Sequence, residues 1–194
     1  SKLQTYISSL SAAFLIVLRR FILLIVSPYK TMRKISTEKD YVQIAIIFLF
    51  VCLYFLLNGF SKIVTFFIAF GFALIFFYYV GRAFDRSITF SSILSTLSYT
   101  LFPTLIWFYT SYLFYILLPP PRTPSVPGKA FSILYISFSL SLLLWKIILT
   151  YLAIRFSLKL QFYRVTYLML LYILVIVSAS YVMYVLGYSK VPFV

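Results

Sequence analysis

The sequence predicts an all-α protein: a polytopic transmembrane helical bundle of five spans, preceded by an N-terminal interfacial amphipathic helix. Three observations predict it. Apolar runs close to the roughly 20 residues needed to cross a bilayer recur along the 194-residue chain. Charged residues make up 10% of it, against about 25% in a soluble domain, so polar side chains cannot cover the surface and lipid must. The cations gather between the apolar runs, as they do at the flanks of membrane helices.

Residues 1–40 read as a cytoplasmic or interfacial helix followed by a basic linker. In 3–26, Ser8, Ser9, Arg19 and Arg20 fall on one helical side, because eleven residues are about three turns. Ala13, Phe14, Val17, Phe21 and Leu24 lie mostly away from it. Two arginines near a bilayer centre cost roughly 2.5–3.5 kcal/mol each, a cost that an interfacial or re-entrant helix avoids; a sixth span is the alternative. Arg19-Arg20 also interrupts the stretch as a cleaved signal, and no small-x-small site follows before the basic residues at 29–34. Pro28 ends the helix, since it has no N–H to donate. The polar segment 29–40 carries Lys30, Arg33, Lys34 and Lys39, and then Glu38 and Asp40 stand where the positive end of the next helix dipole favours acids.

Residues 41–194 read as the five-span domain, with spans at 41–59, 63–80, 91–118, 130–154 and 165–187. The first two are joined by a tight turn at Asn58-Gly59 and form an antiparallel hairpin. Gly71, inside the second, is a place where helices can approach closely. The third carries Ser91, Ser95 and Ser98 on one side and Pro103 as a candidate helix kink. The proline-rich stretch 119–128 is an extended connector. In the fourth span Ser132, Tyr135, Ser139, Lys146 and Thr150 make a polar stripe, which is expected to face other helices. Tyr181, Tyr184 and Tyr188 close the fifth span at headgroup level.

Orientation follows from the cations. With the N-terminus cytoplasmic, segments 1–40, 81–92 and 155–164 are inside and hold twelve of the seventeen Lys and Arg; Lys62, Arg122, Lys129 and Lys190 are outside, and Lys146 is intramembrane. That bias places the C-terminus outside. The net charge of +14 is read as attraction to anionic headgroups rather than to nucleic acid.

The chain has no histidine, one cysteine (Cys52) and no carboxylate inside a predicted span. It therefore lacks the materials for a metal site, a catalytic triad or a buried proton relay, and neither catalysis nor a cofactor is expected. The candidate contact residues are cations. Lys146 stands about 13 Å along a helix from Arg155. It either snorkels or bonds backbone carbonyls, meets a lipid phosphate or partner subunit, or binds a substrate. Arg155, Lys159 and Arg164 form a basic elbow, a topology anchor or a docking surface for anionic lipid or an acidic partner. Arg19 and Arg20 complete the set.

The order of these segments resembles the Yip domain family, the Ypt-interacting membrane proteins, in its prokaryotic form. The resemblance lies in Ser27-Pro28-Tyr29-Lys30-Thr31-Met32-Arg33-Lys34-Ile35, in Tyr99-Thr100-Leu101-Phe102-Pro103, and in 145–155, from Trp145 to Arg155, with the polar elbow after it. It implies five spans, a cytoplasmic N-terminus and a role in membrane organisation or trafficking. The acidic-tyrosine-glycine-proline motif of many eukaryotic members is missing, so no binding residue is carried over. The functions expected are a non-catalytic scaffold or accessory subunit with membrane-protein partners or copies of itself, a small transporter or channel using the polar face around Lys146, or a lipid-handling protein.

Overall fold

The computed structural model describes residues 2–38, 40–59, 61–85, 87–118 and 125–185. Among these residues the chain is all-α, with eight helices and no strand. Five segments are long and apolar enough to cross a membrane: Tyr41–Asn58, Lys62–Phe84, Phe90–Leu117, Val126–Leu158 and Phe162–Ala179.

Helix α1 (Lys2–Val26) gives way after one residue to α2 (Pro28–Thr37). The segment expected as a basic linker is thus a helix. Pro28 opens it, where a missing N–H costs nothing, and the Thr31 hydroxyl donates back to the carbonyls of Ser27 (2.8 Å) and Leu23 (3.2 Å). Helix α2 buries Thr31, Met32 and Ile35 and exposes Lys30, Arg33 and Lys34. It is the amphipathic helix ahead of the spans. Helix α1 precedes it. It buries Ala13, Val17, Arg20, Phe21 and Leu24 and exposes Leu15, Leu18, Ile22 and Ile25, so both faces are apolar and the two arginines part: Arg20 turns in, Arg19 out. It touches α3 at two levels, Phe14 against Phe50 (ring centroids 6.1 Å apart) and Arg20 against Gln43. These levels are about 9 Å apart on one helix and about 10 Å on the other, so α1 runs antiparallel alongside α3.

Helix α3 (Tyr41–Asn58) starts at an Asp40 cap whose carboxylate accepts the Val42 N–H at 3.0 Å. The turn to α4 (Ser61–Phe84) needs Gly59 at φ 118°, a left-handed value that favours glycine. Gly71 has no atom near the place a Cβ would occupy, so the close approach expected there is absent. It occurs at Gly81, where a Cβ would run into the Leu158 side chain.

The third span is two helices, α5 (Phe90–Tyr99) and α6 (Phe102–Leu117). Pro103 has no N–H for the Tyr99 carbonyl, and its ring crowds that carbonyl. The bend therefore falls at Thr100–Leu101, a turn before the proline, which itself sits in the first turn of α6. Helix α5 is the centre of the bundle, packed by α2, α3, α4 and α7. Ser91, Ser95 and Ser98 share one side, as their spacing requires, and Ser92 and Thr96 beside them are buried as well; such small residues let neighbouring helices close in.

Helix α7 (Val126–Leu158) begins earlier and ends later than expected, with Ser125 as its cap and Lys159, left-handed at φ 52°, as its terminator. Arg155 therefore belongs to its last turn, and Arg164 to the first turn of α8 (Phe162–Val185). The polar stripe of α7 faces α6: Tyr135 meets Ser111 (2.6 Å), Ser139 accepts from the Trp107 indole (3.1 Å) and Lys146 donates to Thr104 (2.9 Å). The connector residues 119–124, with Arg122, as well as Lys39, Arg86, the Tyr184 side chain, Tyr188 and Lys190, lie outside the described residues.

Candidate functional site

Packing brings the ends of seven helices together. Tyr29 of α2 lies edge-on against Phe156 of α7 (4.8 Å), with the Arg155 guanidinium 5.8 Å from the Tyr29 ring centre. Arg164 stands 5.8 Å from the Phe84 ring at the end of α4, and Ser92 of α5 donates to the Ser36 carbonyl of α2 at 2.8 Å. Arg155, Lys159, Arg164, Arg19 and Arg20 thus share one end of the bundle, with Arg82 and the cations of α2. Lys62 and Lys129 stand at the other end, where α4 and α7 begin.

Behind α2, this basic end holds a clasp of polar side chains. Arg20, 8% exposed, forms an ion pair with Glu38. Its Nη1 also donates to Gln43 Oε1 at 2.5 Å, and its guanidinium lies 5.7 Å from the Tyr99 ring centre. The same Gln43 oxygen accepts the Tyr99 hydroxyl at 2.6 Å, while Gln43 Nε2 donates to Asp40 Oδ2 at 2.7 Å. A planar guanidinium offers five donors and needs several acceptors when buried. Three stretches supply its surroundings: the end of α2, the start of α3 and the end of α5. Lys34 reaches Glu38 at 3.8 Å. Beside the clasp is a polar cavity of about 510 Å³, bordered by α1, α2 and the start of α3.

Lys146 is elsewhere. It does not reach toward the basic end but turns inward to the Thr104 hydroxyl. It borders a largely apolar cavity of about 300 Å³ between α4, α5, α7 and α8, where Thr100, Thr150 and Tyr172 are the other polar residues. Arg155 and Arg164 lie on aromatic faces, and Lys159 ends a helix. Pro103 sits beside the bend at which Phe102 stacks on Phe21 (4.2 Å).

Sequence reasoning missed the centre of the clasp, Gln43 and Tyr99. Gln43 is the one glutamine within the five expected spans, and a buried amide must be hydrogen-bonded; that was the available signal. At the rim of the basic end, the Ser87 N–H and then the Ser87 hydroxyl, both at 2.8 Å, hold the Asp85 carboxyl below the usual carboxylate range, with Lys159 adding to the effect.

Among the described residues no three His, Cys, Asp or Glu gather as metal ligands. The arrangement offers hydrogen-bond donors and positive charge, the chemistry of anchoring and anion recognition. No family model, curated protein or solved structure matches the chain.

Proposed function

We propose that the chain is a non-catalytic, multi-span membrane protein that acts as a scaffold or accessory subunit of a larger membrane assembly. The observation that carries this reading is the use made of charge. Arg20 binds α1 to the segment leading into α3, and Lys146 joins α7 to α6. Both hold helices together, and neither stands beside a paired nucleophile and base. Support comes also from the broad apolar sides of α7 and α8, where Ile133, Leu134, Leu140, Tyr167, Leu170 and Leu174 are exposed. Such faces suit lipid, other membrane subunits or further copies of the chain.

In this reading the basic end faces the cytoplasm and α8 carries the C-terminal side outward. Because α1 runs antiparallel along α3, the beginning of α1 then lies toward the outer face. In this reading α1 is the sixth span that the sequence offered as the alternative. At about 38 Å for 25 residues, α1 is long enough to cross. Purification in mild detergent with native lipid, followed by native mass spectrometry, tests the role: stable stoichiometric partners are expected, and recovery only as a lone monomer would overturn it.

The cavity beside Lys146 favours a second reading, a small transporter or channel. Reconstituted vesicles would then show a flux that Lys146→Met changes; the scaffold reading expects none.

A further inference from the structure

We propose that the polar cavity bordered by α1, α2 and the start of α3 binds the headgroup of an anionic glycerophospholipid from the leaflet at the basic end. The inference needs α1 and α3 to lie in a bilayer and does not depend on the scaffold role.

Size comes first. At about 510 Å³ the cavity falls within the roughly 300–1,000 Å³ range of small-molecule sites. Charge comes next. Arg19, Arg20, Lys30 and Lys34 line it, against Glu38 and Asp40, so four cations face two carboxylates. The carboxylates are engaged: Glu38 by Arg20, and Asp40 by the Val42 N–H and the Gln43 amide. Arg19 and Lys30 are exposed and make no ion pair among the described residues. The cavity therefore keeps a positive surplus on flexible side chains above a rigid floor, since Arg20 is already held by Glu38 and Gln43. Donors fixed before a ligand arrives lose little freedom on binding it.

The walls distinguish a lipid from a soluble anion. Ile16 and Leu23 of α1 line the same cavity, and the outward face of α1 continues apolar through Leu15, Leu18 and Ile22. A phosphodiester at Arg19, Lys30 and Lys34 would leave its acyl chains along that face. Free phosphate would use the cations and leave the apolar wall empty.

The test uses the full chain, delipidated in detergent and offered equimolar phosphatidylglycerol and phosphatidylcholine, with bound lipid counted by native mass spectrometry. Phosphatidylglycerol is expected to be retained preferentially. Loss of one cation weakens such an attraction about fivefold, so Lys30→Gln reduces retention about fivefold and Arg19→Gln/Lys30→Gln/Lys34→Gln by more than tenfold. Lys62→Gln/Lys129→Gln, at the opposite end, leaves it unchanged. Circular dichroism confirms that each variant is folded; should the triple variant not fold, Lys30→Gln alone decides. Equal retention of the two lipids, or retention unaltered by Lys30→Gln, would overturn the proposal. Displacement of the lipid by millimolar inorganic phosphate would overturn its lipid specificity and assign the cavity to a free anion.

Discussion

Two cations enter this bundle and are housed in opposite ways. Arg20, near the basic end, meets a carboxylate, an amide and an aromatic ring. Lys146, in the middle, donates to the Thr104 hydroxyl beside a largely apolar cavity. The difference follows from the side chains. A guanidinium cannot lose its proton and offers its donors in a fixed fork, so the helices around it must bring several acceptors. An ammonium is a compact charge on a flexible stem, and its three donors rotate to meet whatever acceptors are near. The packing differs too. At the basic end α4 and α7 close until the Leu158 side chain fills the space over Gly81, whereas Gly71, beside the Phe70 and Ala73 that border the central cavity, faces open space. The contact between α4 and α7 at the basic end is close, while the middle of α4 leaves room at its glycine.

The largest expected effect that would break this contrast is at Gln43. Gln43→Leu removes the acceptor shared by Arg20 and Tyr99 and leaves two buried donors stranded, at about 2–4 kcal/mol in total. Thermal denaturation in detergent should show a clear drop; a midpoint equal to wild type would mean the clasp carries no stability. Next is the glycine pair. Gly81→Ala presses a methyl against buried Leu158 and costs about 1–2 kcal/mol. Gly71→Ala meets nothing and stays within about 1 kcal/mol of wild type. If both alanines were equally tolerated, the middle and the end of α4 would not differ in tightness.

Thr104→Val should cost less, about 1 kcal/mol, because it removes one hydrogen bond from Lys146. A loss as large as that of Gln43→Leu would mean that the Lys146 site depends on this bond as much as the clasp does on its amide. The smallest effect is at the rim. Hydrogen bonds from Ser87 depress the Asp85 carboxyl. Its contribution is therefore complete above the unfolded value, about 3.9, and disappears as pH falls through the lower folded value. Amide exchange at Ser87, relative to its intrinsic rate, should accelerate across that acid window, and Asp85→Asn should abolish the dependence.

Much of the architecture was legible because hydrocarbon imposes a simple rule. A backbone in oil must satisfy its own hydrogen bonds, so an apolar run of sufficient length becomes a helix. The runs around Phe48, Phe66 and Leu149 announced themselves in this way, and Asp40 and Gly59 marked the first span's ends. Pro103 signalled a bend correctly, but its position at Thr100–Leu101 depended on which carbonyl the proline ring crowds. The segment around Met32 and Ile35 was too short and too basic to signal a helix by hydropathy. It becomes one against α7 and α5, whose surfaces cover its apolar side. The candidate site was legible only in part: Arg20 stood out as a charge within an apolar run, but its partners lie 18, 23 and 79 positions further along the chain.

By itself, the order of amino acids determined that the protein is helical, that five stretches are long and oily enough for a bilayer, and that positive charge collects where they turn. These are local properties, readable from one turn or one run at a time. Only the tertiary structure decided that α1 runs beside α3, that Arg20 and Arg19 have opposite fates, and that Gln43 joins three helices. Those outcomes depend on which faces meet, and neighbouring residues on one helix point in different directions whatever their chemistry.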